Sequence, residues 1–271
     1  MTHSRPTILR LLDERGLSPS RALGQNFVAD PNTVRKIARL AEIGPGDLAI
    51  EIGPGLGSLT LALAETGADV VAVEIDRHLI APLEEVLEGT SARVVHGDAL
   101  TVNFTEILGG RQAALVANLP YNVSVPVVMR ILEEVPEISS LVIMVQREVG
   151  ERLVAKASSE AYGAVSAKVA YFAHGAVVGR VPAAVFVPKP KVESVLVRLV
   201  RHDPPPSCEG LNSAKLFGLI KQGFSQRRKM LRSTLRGQLS EQDFAAASID
   251  GQRRAESLTL DEFASLARQL R

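Results

Sequence analysis

An asparagine, a leucine, a proline and a tyrosine stand in a row at 118–121 (NLPY), directly after the apolar run Ala113–Ala117. A carboxamide, a rigid carbonyl and an aromatic face can together act on the exocyclic amine of a purine. Such an amine is a poor nucleophile because its lone pair is delocalised into the ring. Two acceptors, the Asn118 side-chain oxygen and the Leu119 carbonyl, can hold its two N–H bonds. That draws the nitrogen toward tetrahedral geometry and exposes the lone pair. Pro120 confines Leu119 to extended backbone and so fixes the direction of its carbonyl. Tyr121 offers a face on which a base can stack, worth roughly 1–3 kcal/mol. It is one of three tyrosines in a chain without tryptophan. Taken alone, NLPY reads better as a turn after a strand with Asn as a helix cap; three upstream signals shift that balance.

The first is EIGPGLGS, Glu51 to Ser58. Glycines at 53, 55 and 57 let the backbone turn tightly and approach a ligand. Alone, this is equally a tight strand-to-helix turn or a nicotinamide-cofactor site. Two details favour S-adenosylmethionine. Ser58 stands where the dinucleotide fingerprint wants a third Gly or an Ala. Glu51, directly ahead of the turn, can hold the cationic amino-acid end of that cofactor. The second signal is Glu74, about 20 residues beyond the turn, placed to accept two ribose hydroxyls. Its competing reading is an acid capping the next helix, with Asp76 as a nearby rival. The third is Asp98 after Gly97, able to accept from an adenine amino group or to sit in a solvated turn. All three follow successive strands at their carboxyl ends, where open α/β sheets bind ligands.

The elements that must carry these residues are legible. LAIEI, DVVAVEID (69–76), ARVVHGDAL (92–100), AALVANLPY and LVIMVQ (141–146) are apolar strands, with helical patterns between several of them. Continuous apolar strands alternating with helices predict a parallel sheet covered on both faces. Asp30-Pro31 starts a helix, Asp as N-cap and Pro at its first position, that runs through PNTVRKIARLAEI. REVGERLVAK and YGAVSAKVAYFA read as helices. HGAVVGRVP and VESVLVRLV read as a late strand pair at an antiparallel sheet edge. HDPPPSCEG (202–210) reads as a linker, followed only by helical patterns, among them a capping box at Thr259 and Glu262. The expected division is 1–203, a catalytic domain with an N-terminal helical extension, and 204–271, a small all-helical domain.

With 271 residues the chain suits one large domain or a large and a small one. No apolar run approaches the ~20 residues that span a bilayer, and the N-terminus has no signal-peptide core. A cytoplasmic protein with no membrane partner is expected. Cys208 is the only cysteine, which excludes an intrachain disulfide and a multi-Cys zinc site. The five scattered histidines read as ordinary, and no metal is expected. Net charge is +1, but 221–237 carries six basic residues and no acid, and the first 39 residues carry seven against three. Local basic segments on a near-neutral chain suit a polyanion-binding face.

LGQNFVAD (23–30), EIGPGLGSLT, VEID, GDAL, NLPYNVS, VQREVGERL, FVPKPKVES and SQRRKMLR occur in this order. Together they resemble the adenine N6-dimethyltransferases of small-subunit ribosomal RNA, over essentially the whole chain. The resemblance implies a Rossmann-like class I methyltransferase sheet. It also implies that Asn26, Val28, Gly53, Gly55, Glu74, Asp98 and Asn118 line the S-adenosylmethionine site. Val28 replaces a frequent Leu. Phe186 would face Tyr121 across the target base, although by sequence alone it reads as a core residue. The implied substrate is a pair of adjacent adenines in the 3′-terminal hairpin loop of 16S RNA, within an immature small subunit, met by a monomeric enzyme. A loop base is already partly unstacked, so moving it into a pocket costs less than flipping one from a duplex. On a helical wheel Lys221, Arg228, Arg232 and Arg236 share one side, beside an apolar stripe of Phe217, Phe224, Leu231 and Leu235. Arg227 and Lys229 complete the expected RNA-binding set. The rival readings are a large-subunit adenine methyltransferase of the macrolide-resistance type, a DNA adenine methyltransferase (those often carry DPPY or NPPY), a non-catalytic assembly factor, and a nicotinamide-dependent oxidoreductase. The last lacks a catalytic Tyr–Lys or His partner.

Overall fold

A computed structural model describes residues 2–202 and 208–270. Residues 203–207 of the expected linker, and with them the 203/204 boundary, lie outside the described residues. Among those described the strands are β1 (Phe27–Val28), β2 (Leu48–Ile52), β3 (Asp69–Glu74), β4 (Ala92–His96), β5 (Ala113–Asn118), β6 (Ile138–Gln146), β7 (Ala173–Val181), β8 (Phe186–Val187) and β9 (Ser194–Arg201). Seven of them form one sheet in the order β4-β3-β2-β5-β6-β9-β7, while β1 and β8 pair separately. The pairs from β4 through β6 are parallel, and β9 runs antiparallel to β6. The apolar runs become the central strands because both of their faces are covered: β2 is buried throughout, β3 and β5 at all but one residue. β4 and β7 are half exposed, as edges are. The mostly parallel sheet with an antiparallel edge is the expected one.

Helices α1 (Arg5–Glu14), α2 (Pro31–Leu40) and α3 (Ser58–Ala64) bear on the site. The Asp30 carboxylate accepts from Thr33 N at 3.0 Å, and Pro31 occupies the first turn, so α2 starts where its cap dictates. It stops at Leu40, short of the expected Ile43, because Glu42 turns left-handed (φ 54°). The helices lay Val34, Ile37, Leu59 and Leu63 on Val70, Val116, Val142 and Met144 of the sheet. Leu63 is fully buried, so truncation to Ala costs about 2–5 kcal/mol.

The chain divides into two compact units, Met1–Gly150 with Gly175–Val200 and Glu151–His174 with Arg201–Arg271. The second therefore takes an internal excursion as well as the C-terminal segment. Tyr162 and Ala167 from that excursion share a core with Leu216, Leu219, Ile220 and Phe263, and Tyr162 donates to Leu258 O at 2.9 Å. The capping box forms: Glu262 N donates to Thr259 Oγ1 at 3.2 Å, and Thr259 N to Glu262 Oε2 at 2.8 Å. The basic tail corrects the helical-wheel expectation. One helix ends at Gly223, a 3₁₀ turn covers Phe224–Gln226, and a new short helix spans Leu231–Thr234. The backbone breaks because Leu231 N and Arg232 N donate to Arg253 O and Gly251 O, at 2.8 and 2.9 Å, instead of to the preceding turn.

Candidate active site

Strand order reverses at β2: the chain walks outward through β3 and β4, then returns to place β5 on the other side of β2. The crevice above that reversal is where doubly wound sheets bind ligands. A cavity opens there, its wall including Asn26, Val28, Glu51, Gly53, Gly55, Glu74, Asp98, Asn118, Leu119, Pro120 and Tyr121. Every expected cofactor residue thus stands on one wall system.

Gly53, Gly55 and Gly57 all take left-handed backbone (φ 69°, 58° and 81°). A Cβ on Gly55 would lie 2.8 Å from the Phe27 ring, and one on Gly57 2.9 Å from Leu83 Cδ1. At Gly53 it would fill the gap in front of Pro120, 3.6 Å from Cδ. The turn therefore brings bare backbone against the crevice, as the sequence motif implied.

Glu74 ends β3 and is almost fully buried. Its Oε2 accepts from Gly55 N at 3.0 Å and its Oε1 from Asp76 N at 2.9 Å. Burial, more than anything else, pushes its carboxyl up, while those backbone donors pull it down. The helix cap that competed for this residue is Asp76 instead, which accepts from His78 N at 3.0 Å and from Gln25 Nε2 at 2.9 Å. Glu51 is wholly buried on β2, which pushes its carboxyl up to about 8; the Thr60 hydroxyl lowers it somewhat and the neighbouring Glu74 raises it. Thr60 is close without well-formed hydrogen-bond geometry, so Glu51 Oε2, Ser58 Oγ and Thr60 Oγ1 are all left unpaired in the interior. Asp98 Oδ1 accepts from Leu100 N at 2.8 Å. Arg130 braces that loop, donating to Ala99 O at 2.6 Å and Val102 O at 2.8 Å.

Asn118 closes β5, and its Nδ2 donates to Asn26 O at 3.0 Å. A carbonyl can only accept, so the amide nitrogen must face residue 26 and Oδ1 must face away from it. Asn26 in turn donates from its own Nδ2 to Gly24 O at 3.0 Å. Leu119 N is held by Met144 O at 3.1 Å, while the Leu119 carbonyl accepts no hydrogen bond among the described residues; the Pro120 and Tyr121 carbonyls are taken by Val123 N and Ser124 Oγ. Two oxygens in sequence, Asn118 Oδ1 and Leu119 O, are thus held in place and unengaged. Among the described residues no histidine or lysine lines the cavity. The Tyr121 hydroxyl meets Ser194 Oγ at 2.8 Å, and burial pushes the phenol up.

Phe186 departs from its expected place. The β1–β8 register sets Val28 opposite Phe186 and Phe27 opposite Val187. Opposed residues share a face. Val28 and Phe186 therefore turn into the core over the sheet, and Phe27 and Val187 into the cluster beneath α1. Phe186 has 0% exposure and is absent from the cavity wall. In the tail, Lys221, Arg228, Lys229, Arg232 and Arg236 are exposed, whereas Arg227 is tied to Glu256 at 3.3 Å and to Glu160 O at 2.7 Å. Sequence reading missed Ile8, Ile75, Thr60 and Ser194. Ile8 and Ile75 line the cavity. Ile75 alone left a trace, being apolar between two acids; Ser194, on a late strand, left none.

Residues 17–271 match the profile of the family described as ribosomal RNA adenine dimethylase. The Ribosomal RNA small subunit methyltransferase A of Cutibacterium acnes is 46% identical, covering 97% of this chain and 93% of that protein. Its namesake in Moorella thermoacetica is 43% identical, covering 97% and 96%. Among solved structures, a dimethyladenosine transferase from Plasmodium falciparum superposes with a TM-score of 0.76 at 25% identity, covering 88% of this chain and 94% of that one. The 23S rRNA methyltransferase ErmE gives 0.70 at 24%, covering 90% and 99%, and so shares the fold. With a family profile matched from residue 17 to the last residue, the chain belongs to the ribosomal RNA adenine dimethylase family.

Proposed function

We propose that this protein transfers methyl groups from S-adenosylmethionine to N6 of two adjacent adenines in the 3′-terminal hairpin loop of 16S ribosomal RNA, acting as a monomer on an immature small subunit. The names and near-full-length match of the bacterial relatives support the substrate. The observation that carries the chemistry is the Asn118 carboxamide, locked by the Asn26 carbonyl with its oxygen free beside the unengaged Leu119 carbonyl.

The residues present fit the cofactor. The glycine turn leaves a gap in front of Pro120 that a Cβ at 53 would fill, and Glu51, on the cavity wall, offers an unpaired carboxyl oxygen. Glu51 would hold the ammonium end, Glu74 the ribose hydroxyls through its remaining lone pairs, and Asp98 Oδ2 the adenine amine. When bound, S-adenosylmethionine supplies an electrophilic methyl on a sulfonium. The chain's own contribution is at the acceptor nitrogen. Asn118 Oδ1 and Leu119 O take its two N–H bonds and aim its lone pair. Tyr121 stacks the base, and no ionisable base is required because the methylated amine is acidic enough to release its proton to water. Phosphates of the same RNA would meet Lys221, Arg228, Lys229, Arg232 and Arg236 on the helical unit, with Arg227 contributing only once freed from Glu256.

Asn118→Ala tests the grip. Methyl transfer to immature small subunits, read with labelled cofactor and nucleoside mapping, should fall by at least a hundredfold while cofactor affinity stays within a few-fold. A variant that methylates at near wild-type rate removes the two-acceptor arrangement.

A further inference from the structure

We infer that Ser194 is a positioning residue for the target base, acting through the Tyr121 hydroxyl; this rests on the stacking role proposed for Tyr121. Tyr121 sits in the turn between β5 and the helix Ser124–Glu134, a segment with no regular backbone pairing of its own. Ser194 is the opposite case. It opens β9, pairs with Gln146 of β6 in the antiparallel ladder, is flanked by the Arg147 N to Glu193 O bond at 3.0 Å, and has 0% exposure. The 2.8 Å bond between the two hydroxyls therefore fastens a loop-borne ring, at its far edge, to a buried residue of a hydrogen-bonded strand. Either oxygen can donate, so the bond survives reorientation of both protons.

The position of the fastening matters. A phenol can rotate about Cα–Cβ and Cβ–Cγ, and a turn gives it little else to lean on. Holding the para oxygen removes the swing of the ring axis and leaves the ring faces free. A stacked base needs a platform at fixed height and tilt, because misplacement by about an ångström costs on the order of a hundredfold in rate. Phenylalanine would stack equally well but could not be held this way, which gives the hydroxyl a purpose that stacking alone does not. Ser194 lies 73 residues from Tyr121 and is missing from the cavity wall. It ties the FVPKPKVES segment to NLPY as β1–β8 pairing ties it to GQNFV.

The test compares Ser194→Ala, Tyr121→Phe and the double variant in full-length protein. Each single change should lower kcat/KM for immature small subunits by about threefold to tenfold, the worth of one net hydrogen bond. Cofactor affinity should stay within twofold. The double variant should be no slower than the worse single, since both remove the same bond. Ser194→Thr, which restores a hydroxyl, should recover most of the loss. With three tyrosines and no tryptophan in the chain, ring-labelled tyrosine NMR supplies a readout free of activity. The Tyr121 signals, identified by their loss in Tyr121→Phe, should shift and broaden in Ser194→Ala. Multiplying losses in the double variant, wild-type turnover in Ser194→Ala, or unchanged ring signals would each overturn the inference. Failure of the functional reading would show itself separately, as a wild-type protein that leaves adenine unmodified.

Discussion

Glu51 allows a quantitative prediction from one buried group. Its carboxyl is pushed from 4.5 up to about 8, chiefly by burial. Between those values the folded protein keeps a proton that the unfolded chain has released. Folding then binds protons, so stability falls as pH rises across the window: it is full below about 4.5, and the loss is complete above about 8. From 4.5 to pH 7 is 2.5 units, which at about 1.4 kcal/mol per unit amounts to ~3 kcal/mol. Glu51→Gln cannot ionise, and its amide can donate to the unpaired Ser58 or Thr60 oxygens. Urea unfolding of both proteins without ligand, at half-unit pH steps, should show the stability difference growing in favour of Gln by about 3 kcal/mol between pH 4.5 and 7. The same proton reports on the ligand. Pairing with a cofactor ammonium makes ionised Glu51 favourable, so binding at pH 7 should expel close to one proton. Calorimetry in buffers of different ionisation enthalpy counts that proton, and the Gln variant should release none and bind more weakly. Parallel stability curves for the two proteins from pH 4.5 to 8 would mean that Glu51 is already ionised in the fold, and the reasoning fails.

Two further perturbations separate the cofactor cradle from the RNA face. Gly55→Ala combines left-handed backbone (φ 58°) with a Cβ 2.8 Å from the Phe27 ring, whereas Gly109→Ala meets equally left-handed backbone (φ 56°) and nothing within 4 Å. Thermal unfolding and cofactor titration should show Gly55→Ala costing about 1–3 kcal/mol more than Gly109→Ala and weakening the cofactor; equal costs would remove the close approach. Reversing charge at Arg228 and Arg232 should weaken RNA binding at least tenfold near 0.1 M salt and flatten its salt dependence, each lost phosphate contact taking about 0.7–0.9 from the slope. Cofactor affinity should not change, and unaltered RNA affinity at moderate salt would remove these arginines from the binding face.

What the sequence made legible was whatever depends on local chemistry. Apolar runs gave the parallel strands, Asp30-Pro31 and Thr259-x-x-Glu262 gave helix starts, and glycines at 53, 55 and 57 marked backbone that other residues resist. Glu74 and Asp98 followed because strand ends are fixed once the strands are. Non-local partners were beyond its reach. The break at Leu231 comes from carbonyls at 251 and 253, and a helical wheel has no place for them. Phe186 went into the core because its two-residue strand pairs in a register that turns it with Val28, a partner 158 positions away. A pair of two-residue strands is too short to show alternation, so neither its existence nor its facing could be read from periodicity. The helix Ala164–Phe172 joins the C-terminal core through Ala167 and Tyr171, with Tyr162 just ahead of it, while the visible punctuation in the chain was the proline tract much further on.

These non-local links say why the motifs keep company. Each acceptor or platform at the end of β5 is oriented by something other than β5. Asn118 takes its amide sense from the backbone at 26, Leu119 is pinned by Met144 of the neighbouring strand, and Tyr121 is fastened to Ser194 on β9. The segment at 26–28 is itself held at 185–187, by the β1–β8 pair and by Ala29 N to Val185 O at 2.7 Å. The segment 186–194 thus controls both sides of NLPY, one through β1 and Asn26, the other through Ser194. A strand end alone would leave a carboxamide free to flip and a ring free to swing, and a flipped Asn118 would present two donors to an amine that has only donors to offer. The proposed chemistry therefore depends on the enclosure as much as on the four residues assigned to it. Loosening β8 should cost transfer rate more than cofactor affinity, because the glycine turn, Glu74 and Asp98 take their positions from β2, β3 and β4, and only Asn26 and Val28 of the expected cofactor residues take theirs from that clasp.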